Sequence, residues 1–465
     1  MTRAYQPLAW DDSLIQRYNL SGPRYTSYPT APQFHSDFNL RHWREAIAQG
    51  NRTLKPLSLY VHIPFCSTIC YYCGCNKVVT ANRQRAIPYL AALKREISLQ
   101  ATYVDSARKV QQLHFGGGTP TYLDDQQIAD LMAHLRAEFS FDESEKSDFS
   151  LEIHPQSVTP ERLAHLRALG FNRLSLGVQD FDPQVQKAVN RFNTYEEVAG
   201  LIQASRQLGF GSLNLDLIYG LPKQSCESFA QTLNAIVDLR PDRISLFNYA
   251  HMPHLFKSQK QIDARDLPEP QEKLQILHNS IERLQNAGYV YIGMDHFALP
   301  NDELAEAQRS GTLHRNFQGY TTHGDCDLFA FGASSISAIH DVYVQNHKTI
   351  EAYQNSLENN LAIHKGFHLS ADDLLRRRVI NQIICQFELK FAEIEKEFDI
   401  SFASYFATEL AALKPMQQDG LLEMDSDGIR ASNIGRLLIR SICMVFDAHL
   451  QQPGADAAPR YSRII

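Results

Sequence analysis

The chain has 465 residues, 44% hydrophobic and 21% charged, with 45 Lys plus Arg against 52 Asp plus Glu and a formal net charge of -7. That length can bury a full core in two or more domains, and the acidic balance offers no basic surplus for nucleic acid as the main partner. Met1 to Pro7 contain no apolar signal-like stretch and no run of 18 uncharged apolar residues occurs, so neither export nor a membrane span is expected and a reducing cytoplasm is.

The first 50 residues read as an arm. Its stretch Ser21 to Pro32 holds Pro23, Pro29 and Pro32, which keep it extended and out of a sheet interior, as a linker or tether. Residues 51–300 alternate short apolar runs with amphipathic ones. Candidate strands are Leu57 to Ile63, Gln111 to Phe115, Phe149 to Ile153, Arg173 to Val178, Leu213 to Ile218 and Ile244 to Asn248, with a weaker seventh at Tyr289 to Met294. Helical patterns lie between them, at Ile87 to Ala101, Asp125 to Phe139, Pro160 to Leu169, Tyr195 to Leu208, Glu227 to Leu239 and Pro270 to Ala287. Six alternations imply parallel strands with right-handed crossovers, and the count favours an open, partial (β/α)6 barrel over a closed eight-fold one, a doubly wound sheet being the other solution.

Directly after the first strand come Cys66, Cys70, Cys73 and Cys75. Three thiolates spaced C-x3-C-x2-C on one loop can hold three irons of a [4Fe-4S] cubane and leave the fourth open to a small ligand. A fourth thiol ligand would close that iron, so Cys75 is read as a neighbour. A structural zinc or a disulfide would also gather cysteines, but no second C-x-x-C or H-x3-H follows and a chain of this length needs no staple. Cys226, Cys326, Cys385 and Cys443 are scattered and read as buried apolar residues. The other unusual residues also fall at carboxyl ends of predicted strands: Gly116-Gly117-Gly118-Thr119-Pro120, Glu152, Gln179 with Asp180, Asp216 with Gly220, and Asn248 to His251. In a parallel α/β sheet that rim is where ligands bind.

Residues 301–370 read as a connecting, substrate-contacting segment, and 371–465 as a helical cap. Leu374 to Phe387, Phe391 to Phe398, Phe402 to Ala411 and Ile434 to about His449 read as helices. Asp427-Gly428 within Leu421 to Ala431 is a type I′ hairpin signal. Helices plus a hairpin suggest a winged-helix-like domain, here a lid and not a DNA reader. Gln452 to Ala455 reads as flexible.

The cysteine spacing, with Tyr72 before its last cysteine, resembles the loop of radical S-adenosylmethionine (SAM) enzymes. Gly22 to Thr30, Cys66 to Cys75, Gly116 to Tyr122, Gly177 to Phe181, Asp216 to Pro222, Gly293 to Phe297 and Asn316 to Thr322 together resemble the oxygen-independent coproporphyrinogen III oxidase family of haem biosynthesis, over nearly the whole chain. The resemblance implies oxidative decarboxylation of two propionates of coproporphyrinogen III to vinyl groups by a 5′-deoxyadenosyl radical, giving protoporphyrinogen IX. It implies a [4Fe-4S] cluster on Cys66, Cys70 and Cys73 and two SAM molecules. Tyr60, Gly117, Glu152 and Ile336 correspond to contacts of the cluster-bound SAM; Tyr72, Gly118, Thr119, Gln179, Arg191, Asp216 and Ala250 to contacts of the second. No catalytic side chain is expected beyond the cofactors. Arg24 and Arg315 are candidates for the substrate's carboxylates. The expected partners are coproporphyrinogen III, an electron donor and a final electron acceptor, with the chain acting as a monomer.

The chain departs from the family pattern at His154 and Gln156, where aspartate and arginine are common, and at His323 and Cys326, where glutamine and threonine are usual. A diverged paralogue, or a haem chaperone of the same superfamily, is the alternative; that branch lacks the long arm and a match to Cys75, which favours the oxidase.

Overall fold

The computed structural model describes residues 6–358, 360–450 and 461–465; Gln452 to Ala455 lie outside them. Two compact units divide the chain. A barrel unit comprises Phe34–Leu277 and Asp325–His368, and a second unit comprises Met1–Gln33, His278–Gly324 and Leu369–Ile465.

In the barrel unit the six expected parallel strands form as β1 (Leu57–Ile63), β2 (Lys109–Gly117), β3 (Asp148–Ile153), β4 (Arg173–Gln179), β5 (Ser212–Tyr219) and β6 (Arg243–Asn248). Leu57, Leu59, Val61 and Ile63 line one face of β1 and are each 0% exposed, and Ser58 and His62 on the other face are also buried, as expected of a parallel strand covered on both faces; each of the four apolar residues contributes roughly 1.5–3 kcal/mol by leaving water. The crossover helices begin where their caps dictate: Asp124 and Thr194 each close a capping box, before Asp125–Glu138 and Tyr195–Gln207. The barrel is open, since β6 and β1 lie five places apart in the sheet.

Four further strands extend the sheet beyond β1: β7 (Asp327–Phe331), β8 (Ile336–Ile339), β9 (Val342–Asn346) and β10 (Ile363–His368), in the order β6-β5-β4-β3-β2-β1-β7-β8-β9-β10. β7 runs parallel to β1, with Leu57 opposite Asp327, and β8 to β10 turn back as antiparallel neighbours. The expected connecting segment is therefore partly sheet. At the lower end Arg108 Nη2 meets Asp327 Oδ2 at 2.6 Å and Lys55 Nζ meets Oδ1 at 3.1 Å. This unit also takes in helix Leu40–Arg52, with Trp43 and Ile47 buried, so the part of the arm from Phe34 onward belongs to the barrel unit.

In the second unit the weak seventh strand forms at Val290–Gly293, but it pairs antiparallel with His296–Ala298 as a hairpin. Ala371–Gln386, Phe391–Phe398 and a three-stranded sheet of Glu388–Lys390, Gly428–Ala431 and Leu422–Met424 give the winged-helix-like arrangement. The hairpin turn is not type I′: neither Asp427 nor Gly428 has positive φ, and Asp425 Oδ1 instead accepts from the amides of Asp427 and Gly428. Two expected helices are broken, into Phe402–Tyr405 with Ala407–Gln418, and Asn433–Leu437 with Ile439–Val445. The stretch before Gln33 is docked onto this unit: Tyr25 Oη donates to Asp447 at 3.0 Å, the amide of Ala448 donates to Tyr28 Oη at 3.1 Å, and Gln33 Nε2 donates to the His449 carbonyl at 3.2 Å. No helix among the described residues is long and apolar enough to cross a membrane.

Candidate active site

The cysteine loop leaves β1 through Pro64 and is stitched back at several points. Phe65–Cys66 pairs with Val78–Val79, the Tyr71 amide donates to the Val189 carbonyl at 2.9 Å, and Asn190 Nδ2 donates to the Ile69 carbonyl at 2.7 Å. Ser258 Oγ and Lys77 Nζ both donate to the Cys73 carbonyl, at 2.8 and 2.9 Å. All eight cysteines are free thiols; Cys385 and Cys443 are buried as expected, whereas Cys226 and Cys326 are only partly so.

Beneath the loop lies the glycine run at the end of β2. Gly117 sits at φ +120°, and a Cβ there would come within 2.8 Å of the His62 ring. A Cβ on Gly118 would stand 2.9 Å from Cys66 Sγ and 2.8 Å from the Phe65 carbonyl. Only glycine allows this approach. The Gly118 and Thr119 amides donate to Ile63 and Phe65 at 2.8 and 2.9 Å; Cys66 Sγ lies 3.6 Å from Thr119 Oγ1.

Glu152, at the end of β3, accepts from the Gly117 amide at 3.1 Å through Oε2 and faces His114 Nε2 at 3.3 Å through Oε1. Its side chain remains 43% exposed, so it can still accept from a ligand. Tyr60 stacks on His114 and hydrogen-bonds His62 Nδ1 at 3.0 Å; burial, with the Glu152 charge next, pushes its phenol well above the usual range. On β5, Asp216 accepts from Asn214 at 2.8 Å and Ser175 at 3.0 Å. Burial and then the charge of Glu152 push its carboxyl up to about 6. Gln179 adopts φ +70° at a bulge between β4 and β5.

Arg191 spans the far side. Its Nη2 donates to the Gly177 carbonyl and its Nη1 to Cys70 Sγ at 3.8 Å, while Nε is buried without a hydrogen-bond partner among the described residues. At His154, burial and then the Arg191 charge hold the ring neutral, down to about 3. Tyr72 packs with Tyr71 on the cluster of Val185, Val189, Ile218, Leu221, Tyr249 and Ile262. Gln259 Nε2 donates to the carbonyls of both Tyr72 and Ala250, at 2.9 and 3.2 Å. Ile336 opens β8 after the turn at Gly332. These residues therefore all lie in the barrel unit. Arg24 and Arg315 lie together in the second unit, where Arg315 Nε donates to the Arg24 carbonyl at 3.3 Å and Arg24 Nη1 pairs with Asp295 Oδ2 at 2.5 Å. Arg315 Nη1 is buried and has no hydrogen-bond partner among the described residues.

Sequence reasoning missed the supports. Glu96, 0% exposed, accepts from the Gly332 amide at 2.8 Å, Tyr353 Oη at 2.6 Å, Asn346 Nδ2 at 2.6 Å and Gln100 Nε2 at 3.0 Å. Tyr89, on the same helix, donates to the His62 carbonyl at 2.7 Å and accepts from the Ala333 amide at 3.1 Å. Tyr89, Leu93, Glu96 and Gln100 recur at helical spacing on one buried face, which is the signal that could have revealed them. Asp180 is a structural residue: Thr232, Gln224 and the Asp182 amide occupy its carboxylate.

The donor set suits a cubane. Among the described residues no three such side chains converge on one metal position, but a cubane takes each thiolate on its own iron and needs only thiols that face a common cavity. Cys66 lies within electrostatic reach of both Cys70 and Cys73. A six-stranded parallel half-barrel with three thiols on the loop after its first strand, roofing a glycine run and an acidic rim, defines a radical SAM enzyme. Residues 60–236 match the radical SAM superfamily, and residues 369–438 match the HemN C-terminal domain. The chain is 53% identical over 459 residues to an oxygen-independent coproporphyrinogen III oxidase of Pseudomonas aeruginosa, covering 98% of this chain and 99% of that one. It is 51% identical over 461 residues to the Escherichia coli protein of that name, covering 99% of each. A solved structure of the E. coli coproporphyrinogen III oxidase, described as a radical SAM enzyme, superposes with a TM-score of 0.91 at 50% identity, covering 96% of this chain and all of that one. The chain belongs to the oxygen-independent coproporphyrinogen III oxidase family.

Proposed function

We propose that the chain oxidatively decarboxylates two propionates of coproporphyrinogen III to vinyl groups, giving protoporphyrinogen IX. The observation that supports this reading is the contact of Gly117 with Glu152 and the closeness of Gly118 to Cys66, which put the cysteine loop and a partly exposed carboxylate on one rim. When bound, the reduced cluster and SAM supply a 5′-deoxyadenosyl radical that takes a hydrogen atom from the propionate β-carbon; loss of carbon dioxide and one electron then leaves the vinyl group.

The chain's own residues hold and orient. Cys66, Cys70 and Cys73 ligate the cluster. Tyr60, Gly117, Glu152 and Ile336 bind the cluster-bound SAM, Glu152 through its partly exposed carboxylate and Gly117 by leaving the backbone open. Tyr72, Gly118, Thr119, Gln179, Arg191, Asp216 and Ala250 bind a second SAM, for which the unpartnered Arg191 Nε is a waiting donor. Arg24 and Arg315 take the substrate's propionates, supported by the buried, unpartnered Arg315 Nη1. An electron donor and a final acceptor complete the reaction, and the chain works as a cytoplasmic monomer without nucleic acid.

An anaerobic assay of coproporphyrinogen III with SAM and a chemical reductant tests this reading. Protoporphyrinogen IX is the expected product, with SAM cleaved; haem transfer without porphyrinogen oxidation would favour the chaperone alternative.

A further inference from the structure

The stretch expected as a tether is fixed by one buried side chain in the second unit. Arg440 is 2% exposed and hydrogen-bonds four main-chain carbonyls. Its Nε donates to Pro23 at 2.8 Å, its Nη2 to Gly22, and its Nη1 to Arg463 at 3.2 Å and Ile464 at 3.3 Å. Burying a guanidinium costs several kcal/mol unless its donors are satisfied. Here they are, and the two segments they join are far apart in sequence.

Those segments also meet directly. Ser21 bridges Arg463, the Gly22 amide donates to the Ser462 carbonyl at 3.2 Å, and the Ile464 amide donates to the Leu20 carbonyl at 2.9 Å. Asn19 grips Ile465 twice, accepting from its amide at 2.9 Å and donating to its carbonyl at 3.1 Å. Pro23 has no amide hydrogen, so its carbonyl is what the backbone at that residue can offer, and Arg440 takes it. The next residue is Arg24, held against Asp295 and Arg315.

We propose that Arg440 and residues 461–465 form a clasp that sets Arg24 beside Arg315, which makes Arg440 a positioning residue for propionate binding. This rests on the reading of Arg24 and Arg315 given above. A planar fork of fixed geometry is what four carbonyls on two segments require, because lysine at 440 could satisfy fewer of them and would leave the segment loose.

The experiment uses the full-length, cluster-loaded enzyme and compares Arg440→Lys, Asn19→Ala and a deletion of residues 461–465, each alone and with Arg24→Ala. The apparent KM for coproporphyrinogen III is expected to rise about tenfold in Arg440→Lys and in the deletion, and less in Asn19→Ala, with kcat, iron content and substrate-free SAM cleavage unchanged. Adding Arg24→Ala should produce no further rise, because all the changes act through one guanidinium. An unchanged KM in the clasp variants, or effects that multiply with Arg24→Ala, would overturn the proposal. So would loss of iron in both the deletion and Asn19→Ala, which would show a purely structural role. If Arg24→Ala alone leaves KM unchanged, the fault lies with the assignment of Arg24, and that single variant tells the two failures apart.

Discussion

Cys66 and Gly118 are so close that each constrains what the other can be. A Gly118→Ala change drives a methyl into a sulfur 2.9 Å away and a carbonyl 2.8 Å away, an overpacking that costs about 1–3 kcal/mol at the loop that must hold iron. Iron content after anaerobic reconstitution is expected to fall, and a full complement would show that the loop can yield. Cys66→Ala, Cys70→Ala and Cys73→Ala should each abolish or grossly deplete the iron-sulfur absorption. Cys75→Ala should retain it, and its loss there would reassign the ligands. Arg24→Ala should weaken coproporphyrinogen binding about tenfold while SAM binding stays intact, measured by equilibrium titration of each. The cysteines, the glycine run and Glu152 could be singled out as site candidates from sequence because what marks them is local: a thiol spacing, consecutive glycines, an acid at a strand's end. The Asp295 that pairs with Arg24 and the Glu96 that holds the Gly332 turn were not, because nothing in the adjoining sequence says which distant group faces them.

At the scale of elements, one carboxylate ties helix Ala86–Ala101 to the turn before Ile336. Glu96 accepts from four donors, and burial pushes its carboxyl up to about 7 from an ordinary 4.5. A carboxyl raised in the folded state favours folding when protonated. That stability is complete below about pH 4.5 and is lost as pH rises through about 7, to the extent of about 3 kcal/mol. Glu96→Gln should flatten this dependence, and denaturant midpoints at pH 5 and pH 8 check it: an equally steep pH dependence in both chains would assign it elsewhere. Periodicity found the six helices between the predicted strands to within a residue or two, with capping boxes such as Asp124 with Gln127 at some of their starts, but it missed Leu40–Arg52, Pro183–Val189 and Ile350–Ser356. It missed β7 because Asp327–Phe331 is short, uniformly buried and preceded by no crossover helix. It also took Val290–Gly293 for a possible barrel strand because a hairpin strand and a parallel one share the same apolar signature.

Over the whole molecule the two units each draw on sequence from several places, and truncation must respect that. A chain beginning at Pro56 loses Trp43, Ala46 and Ile47, all buried in the barrel unit, and Gly50, whose close approach to Asp327 and Arg108 leaves no room for a side chain. It is expected to be destabilised by more than about 4 kcal/mol and to fail to hold its cluster; recovery of iron-sulfur absorption would show that helix Leu40–Arg52 is dispensable. The order of the sheet has a temporal meaning as well. β1 lies between β2, which follows it closely, and β7, which is made far later. As the chain leaves the ribosome, the β7-facing edge of β1 stays bare for on the order of tens of seconds at ordinary elongation rates. Arg108 waits equally long for Asp327. Iron-sulfur assembly machinery that met the nascent chain early would find the cysteine loop hanging from a half-paired strand, so metal loading belongs after the late strand has emerged and closed that edge.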